Sequence, residues 1–253
     1  MSKKVLGVWG LIVVFLITLS VVGFGKNLLV PEDFSSIQAA VDAAKSGDSI
    51  LLSSGNYAEN VVISGKKNLT ITSRDLREFT VVEGQFKIKG STNITLSNFT
   101  VTGPGYGIAV RGESIGLTFD ELAILQNALG GINFSGKGTK YYHVNITNCK
   151  ISSNGGDGIT LQGQGNNIII QGNSITGNGT YTPPAQMAGG AGGVQPKGAK
   201  AVGVRVGLNK KDVAGGAGEF GAATDVLQIL INNNTISGNA FAAIHSVSPI
   251  PVE

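Results

Sequence analysis

Beyond residue 48 the chain is written in short runs that alternate apolar and polar residues, each closed by Gly, Asn or Ser. "SILLS" and "NVVIS" open the series. A period of two puts successive side chains on opposite faces of a strand, and runs this short and rich in glycine do not form helices. The runs also recur. One set reads "NFTVTGP" from Asn98, "NCKISSN" from Asn148, "NSITGN" from Asn173 and "NTISGN" from Asn234, with "ELAILQN" from Glu121 as a charged variant. A second set reads "GIAVRG" from Gly107, "GINFSG" from Gly131, "GITLQG" from Gly158, "GVRVG" from Gly203 and "AIHSV" from Ala243.

Members of the second set follow one another after 24, 27, 45 and 40 residues, so two steps are one repeat long and two carry insertions. A unit of two or three short strands cannot bury its apolar side chains alone, whereas a stack of such units buries them in one cylinder. The pattern therefore predicts an all-β solenoid, a parallel β-helix. Ile108 and Val110, Ile132 and Phe134, Ile159 and Leu161, and Val204 and Val206 should face inward. Asn127, Asn154, Asn178 and Asn239 each fall three residues after an apolar strand residue and should stack into an amide ladder bonded to turn backbone.

An open stack needs a cap. In "DFSSIQAAVDAAKSGD", Ile37, Ala40, Val41 and Ala44 recur at helical spacing, Ser35 with Gln38 matches a capping box, and Gly47 stands as the stop. This predicts an N-terminal capping α-helix ahead of the first coil. At the other end Pro249 and Pro251 forbid further ladder bonds, which leaves the last coil exposed, covered by a folded-back loop, or self-associated with another copy.

Residues 1–25 read as a signal peptide or N-terminal anchor: Lys3 and Lys4 precede an uncharged apolar run from Val5 to Phe24. The protein is thus expected to be exported, extracellular or periplasmic, with residues 26–253 as one β-helix domain and membrane contact only through an uncleaved N-terminus. The formal charge of +3 falls to +1 without Lys3 and Lys4, so no nucleic-acid partner is implied. Cys149 is the single cysteine, and no internal disulfide can form. Gly/Ala-rich insertions at about 180–201 and 208–225 flank the Gly203 strand; from Thr180 to Thr224 they and that strand carry a charge of +3, either a basic rim or solvated loops.

The stretch "VPEDFSSIQAAVDAAKSGDSILLSSGNYAENVVISGKKNLTITS" resembles the opening of NosD-type periplasmic β-helix proteins and of pectin methylesterases, and the chain as a whole resembles the right-handed parallel β-helix proteins of the pectate-lyase-like superfamily. The esterases carry catalysis on Gln-Ala-x-Ala-x-Arg and Asp-x-x-Phe-Gly motifs, and neither occurs here. Gly55, Tyr57 and Glu59 then read as structural: a turn, a plug at the core edge and an acceptor for turn N–H groups.

Residues between the inward positions must face outward. One outward column is Ala109, Asn133, Thr160, Arg205 and His245; a second is Arg111, Ser135 and Gln162. At about 4.8 Å per rung, five rungs make a strip roughly 19 Å tall, suited to an extended sugar chain. Asn133, Ser135, Thr160, Gln162, Arg205 and His245 are the expected substrate-binding residues. The columns contain no carboxylate pair of the kind glycoside hydrolysis needs. Arg205 and Arg111 are the candidate catalytic cations for a lyase, the role that the resemblance implies for Arg or Lys at such positions. No acidic cluster marks a Ca2+ site and only His143 and His245 are present, so no cofactor or metal is expected. The reading is an exported protein that binds or positions acidic polysaccharide at the cell envelope. Two alternatives stay open: a polysaccharide lyase or related uronate-acting enzyme, and an accessory factor for a periplasmic metalloenzyme.

Overall fold

The computed structural model describes residues 25–180, 202–206, 226–240 and 242–246. The proposed signal, most of both insertions and the proline-bearing C-terminus lie outside them. The described residues form three parallel sheets that wind around one core. Sheet A has eight strands, from Asn27–Val30 to Val226–Asn232. Sheet B has seven, from Gly55–Tyr57 to Thr235–Ser237, and sheet C seven, from Val61–Ser64 to Ala242–Ser246. The chain visits A, B and C in turn, so after the first sheet A strand there are seven strand triplets. The predicted parallel β-helix is what the chain forms.

Its core is a set of apolar columns. In sheet A, Leu28, Ile50, Ile71, Leu96, Phe119, Ile146, Ile170 and Ile231 register one above the next. In sheet C, Val61, Phe86, Ile108, Ile132, Ile159 and Val204 do the same, each at most 1% exposed. The expected inward residues are all buried, apart from Val206, whose side chain lies outside the description. Glycine is needed where a neighbour uses the space of a side chain. A Cβ on Gly165 would lie 2.3 Å from Cε2 of the buried Tyr141 ring, and one on Gly116, at φ +70°, 2.2 Å from Oδ1 of Asn93.

The helix spans Ile37–Ala43 and buries Ile37, Ala40 and Val41 against the end of the core. Its N-cap is Ser36, whose hydroxyl accepts from the N–H of Ala39; the expected Ser35 does not cap it. Ala44 is already extended and closes the helix, so Gly47, at φ +97°, shapes the following turn and is not the stop. Gln38, expected in a capping box, instead accepts from the N–H and donates to the carbonyl of Val62, pairing the helix with the outermost strand of sheet C. Glu59 accepts the otherwise orphaned N–H groups of Ile37 and Gln38 at 2.8 and 2.9 Å. Tyr57 donates to the carbonyl of Ser53 at 2.8 Å. The Gly-x-Tyr-x-Glu stretch is the socket of the cap.

The asparagine ladder is present at the corner between sheets B and C. Backbone N–H and Nδ2 of Asn127 both donate to Oδ1 of Asn154, those of Asn154 to Asn178, and those of Asn178 to Asn239. Each Nδ2 also donates to a strand carbonyl one rung back, from Val101 to Ile175. Asn127, Asn154 and Asn178 are fully buried. A second ladder, not anticipated, stands at the corner between A and B, where Asn173 bonds Asn234 in the same two-pronged way and its Oδ1 accepts from the N–H of Cys149. This splits the first repeat set. Asn98 and Asn148 are left-handed turn residues at φ near +55°, while Asn173 and Asn234 sit one position later and point inward. Cys149 takes the inward position on its own rung, 1% exposed, and burial pushes its thiol up to about 12.

Two predictions follow from these interior polar groups. Asn154→Leu removes an acceptor and a donor from the middle of the ladder, and leaving such buried groups unpaired costs about 3 kcal/mol in urea unfolding. Asn127 ends the ladder with an Oδ1 that has no partner among the described residues, so Asn127→Leu should cost less than Asn154→Leu. Tyr141 buries a hydroxyl that likewise lacks a partner, against Phe134 at 4.6 Å. Tyr141→Phe should therefore leave the thermal midpoint unchanged or raise it, by about 1 kcal/mol at most; a clear loss would mean that the hydroxyl is bonded.

Candidate functional site

The outer face of sheet C carries both expected columns. Val62, Lys87, Ala109, Asn133, Thr160, Arg205 and His245 stand in register on successive strands, and Ser64, Lys89 and Arg111 form the start of the second. No acidic residue occupies a position in either column.

The first column is less open than alternation alone suggests. Ala109, Asn133, Thr160 and Arg205 are only 4 to 7% exposed. Ser135 and Gln162 are half-buried. The side chain of His245 lies outside the description, so its register is established and its contacts are not.

Arg205, expected to meet a ligand, already has a carboxylate. Asp157 precedes the strand Ile159–Leu161 and turns back over it. Nε of Arg205 donates to Oδ2 of Asp157 at 2.5 Å and a terminal N–H donates to Oδ1 at 3.1 Å, a two-pronged pair across the insertion. The hydroxyl of Thr160 donates to the same Oδ2 at 3.0 Å. Asp157 was not among the residues that the sequence assigned to this face. The available signal was its place three residues before an outward threonine and one rung from an outward arginine.

Arg111 bends across the neighbouring rung. One of its terminal N–H groups lies 2.9 Å from Oδ1 and 3.2 Å from the carbonyl of Asn133. Ser135 donates to the same Oδ1 at 2.5 Å. Burial lowers the Arg111 pKa, but a guanidinium starts so high that it stays charged. Tyr106 begins the same strand and its ring lies over Gly130, 3.2 Å from where a Cβ would stand. Burial first, and then the negative charge of Asp157, push its phenol above the ordinary value, while Arg111 pulls it back. The face therefore combines a fixed Asp–Arg pair, a second arginine, a half-buried phenol and neutral hydrogen-bond formers.

His143 sits on another face. It adopts φ +55° in a left-handed column on sheet A and its Nδ1 lies 2.8 Å from Nδ2 of Asn167. Among the described residues no group of three or more His, Cys, Asp or Glu is placed to hold a metal ion.

No curated protein matches the chain. Among solved structures, ORF18 of Geobacillus virus E2 superposes at a TM-score of 0.42 and 11% identity over 67% of this chain, which spans only 43% of the viral one. A pectin methylesterase variant in complex with a hexasaccharide gives a TM-score of 0.49 at 13% identity, covering 88% of this chain and 81% of that one. The A-module of the Azotobacter vinelandii mannuronan C-5 epimerase gives 0.23 at 15% identity, covering 84% and 91%. The family model described as right handed beta helix region matches residues 46–205 and 84–248. Together these matches run from the first complete coil to the last and cover most of the chain: the chain belongs to the right-handed β-helix family.

Proposed function

We propose that the chain is an exported β-helix protein that binds polysaccharide laid along the solenoid axis across the outer face of sheet C. One observation carries this reading: the hydrogen-bonding side chains of that face repeat at one-rung spacing, with cations and no acid in their columns. A rung of about 4.8 Å is close to the length of one sugar unit, so successive units meet equivalent positions. Arg111 can meet a carboxylate, because its other N–H groups have no partner among the described residues, and Lys87 and Lys89 stand exposed in the same columns. Arg205 instead holds Asp157, and through it Thr160, in place.

A second reading, a lyase or related uronate-acting enzyme, is favoured by the company of Tyr106, Asp157 and Arg205. A phenol near a clamped carboxylate is a candidate for moving a proton, and an arginine for neutralising a uronate. The accessory-factor alternative has no observation of this kind behind it.

A glycan array read at two salt concentrations tests the binding reading. Acidic glycans should bind more tightly than neutral ones, less so at high salt. Arg111→Ala should weaken polyuronate binding about ten-fold or more, as expected for loss of a charge-assisted hydrogen bond. Arg74→Ala, at the corner between sheets A and B, should change nothing. Absence of binding to every glycan would refute the reading. Ultraviolet detection of unsaturated sugar products in the same samples separates the two: turnover lost in Tyr106→Phe with binding kept would establish the enzyme.

A further inference from the structure

Charge is unevenly spread around the solenoid. Each coil turns from sheet C into sheet A at one corner; Lys66 and Lys67, then Lys89, then Lys137 and Lys140 lie at it, and Lys87 stands beside it on the outer face of sheet C. Lys67, Lys87, Lys89 and Lys137 are exposed, and the other two half-buried. None of the six is ion-paired among the described residues; Lys66 instead reaches the carbonyls of Asp42 and Ala44 at the end of the helix. Glu113, in register with Lys140, and Asp42, whose carbonyl Lys66 reaches, are exposed acids beside them. Asp48, at the head of the corner, is turned inward, 7% exposed, where it accepts the N–H groups of Lys26 and Lys45. The result is a basic ridge parallel to the axis, roughly 14 Å long at about 4.8 Å per rung.

Two further facts bear on what it meets. Val62 and Ile115, 43% and 37% exposed, lie beside the lysines, and the half-buried Tyr142 registers with Ile115. The chain also enters the fold here. Gly25 packs on Gly47 at the same corner, and the residues before it in sequence are the apolar run Val5–Phe24 with Lys3 and Lys4.

We propose that this corner rests on an anionic membrane surface. The lysine ammonium groups lie among phosphate headgroups, Val62, Ile115 and Tyr142 reach the boundary with the acyl chains, and the solenoid lies along the bilayer. The ridge is convex and carries exposed apolar side chains, which suits a flat, half-apolar surface better than a hydrated polymer. The basic ridge supplies one of the two signals that stable anchoring requires, and the apolar run that the sequence carries at 5–24 is the candidate for the other. This is a contact of the folded domain itself; it shares Val62, Lys87 and Lys89 with the first rungs of the outward columns, so membrane and glycan compete for that end of the face.

The test uses the full chain with an environment-sensitive fluorophore on Lys137→Cys or, as a control on the opposite side, on the exposed Lys150→Cys. Cys149 is buried and stays unlabelled in the folded protein. Headgroup-nitroxide vesicles of phosphatidylcholine containing one-third phosphatidylglycerol should quench the label at 137 and spare the label at 150. Quenching at 137 should fall to the level of 150 in K67Q/K87Q/K89Q, in high salt and on purely neutral vesicles, while the thermal midpoint of the variant stays that of wild type. Equal quenching at both positions, or quenching that survives the triple variant, overturns the proposal. A response at 137 to soluble polyuronate with none to anionic vesicles also overturns it and assigns the ridge to a glycan.

Discussion

Coil-to-coil backbone pairing holds each strand residue opposite its counterpart one rung away, and every other feature depends on that register. Because the strands are parallel and the insertions fall between strands and not within them, a side chain's neighbours above and below are those at the same place in the repeat. Like then stacks on like. Apolar positions become continuous columns, inward asparagines become ladders, and outward polar positions become files along the axis. A one-residue slip would turn each column inside out, which is why the left-handed turn residues at the corners matter. Asn98, Glu121, Asn148 and Asn233 hold φ between +51° and +59°, and glycine serves at 172.

The same register explains how a narrow core tolerates amides. An asparagine alone in that interior would leave several polar atoms without water or partners. In the ladder each Oδ1 receives two N–H groups from the rung before it, and each Nδ2 returns a bond to strand carbonyl. The arrangement is sound in the middle and weak at its ends. Before Asn127 the corner reads Gly103-Pro104-Gly105, and a proline has no N–H to offer; Oδ1 of Asn127 is left without a partner. Cys149 shows another ending, with its thiol bonded weakly to the carbonyls of Phe119 and Thr147 where a ladder amide would have stood.

Outside the core the register sets spacing but not occupancy. On the outer face of sheet C it aligns Asn133, Thr160 and Arg205, and loop chemistry then decides what they do. Asp157 occupies Arg205 and Thr160, and Arg111 occupies Asn133. An arginine held this way is a buried pair, and removing either partner strands the other charge. The face is thus preorganised, with side chains fixed by one another rather than waiting loose for a ligand. Its first rungs and the corner beside them have the opposite character, with lysines, Lys87 and Lys89 among them, that form no ion pair among the described residues.

What the sequence determined by itself is what repeats locally. Alternation fixed which residues face inward, the recurring motifs fixed the solenoid, and the spacing of Asn127, Asn154, Asn178 and Asn239 fixed a ladder, because period-two geometry and stacking need no knowledge of distant partners. Only the tertiary structure decided what depends on convergence between unlike segments. It put Asp157 against Arg205, 48 residues away across an insertion of no repeating pattern. It moved the helix cap from Ser35 to Ser36 and sent Gln38 to a strand 24 residues on. It separated Asn148 from Asn173 by one turn position, which the shared spelling of their motifs had merged. It also gathered lysines from three separate repeats onto one corner, a placement invisible in a net charge of +3 because charge adds along a chain without regard to where the fold brings it together.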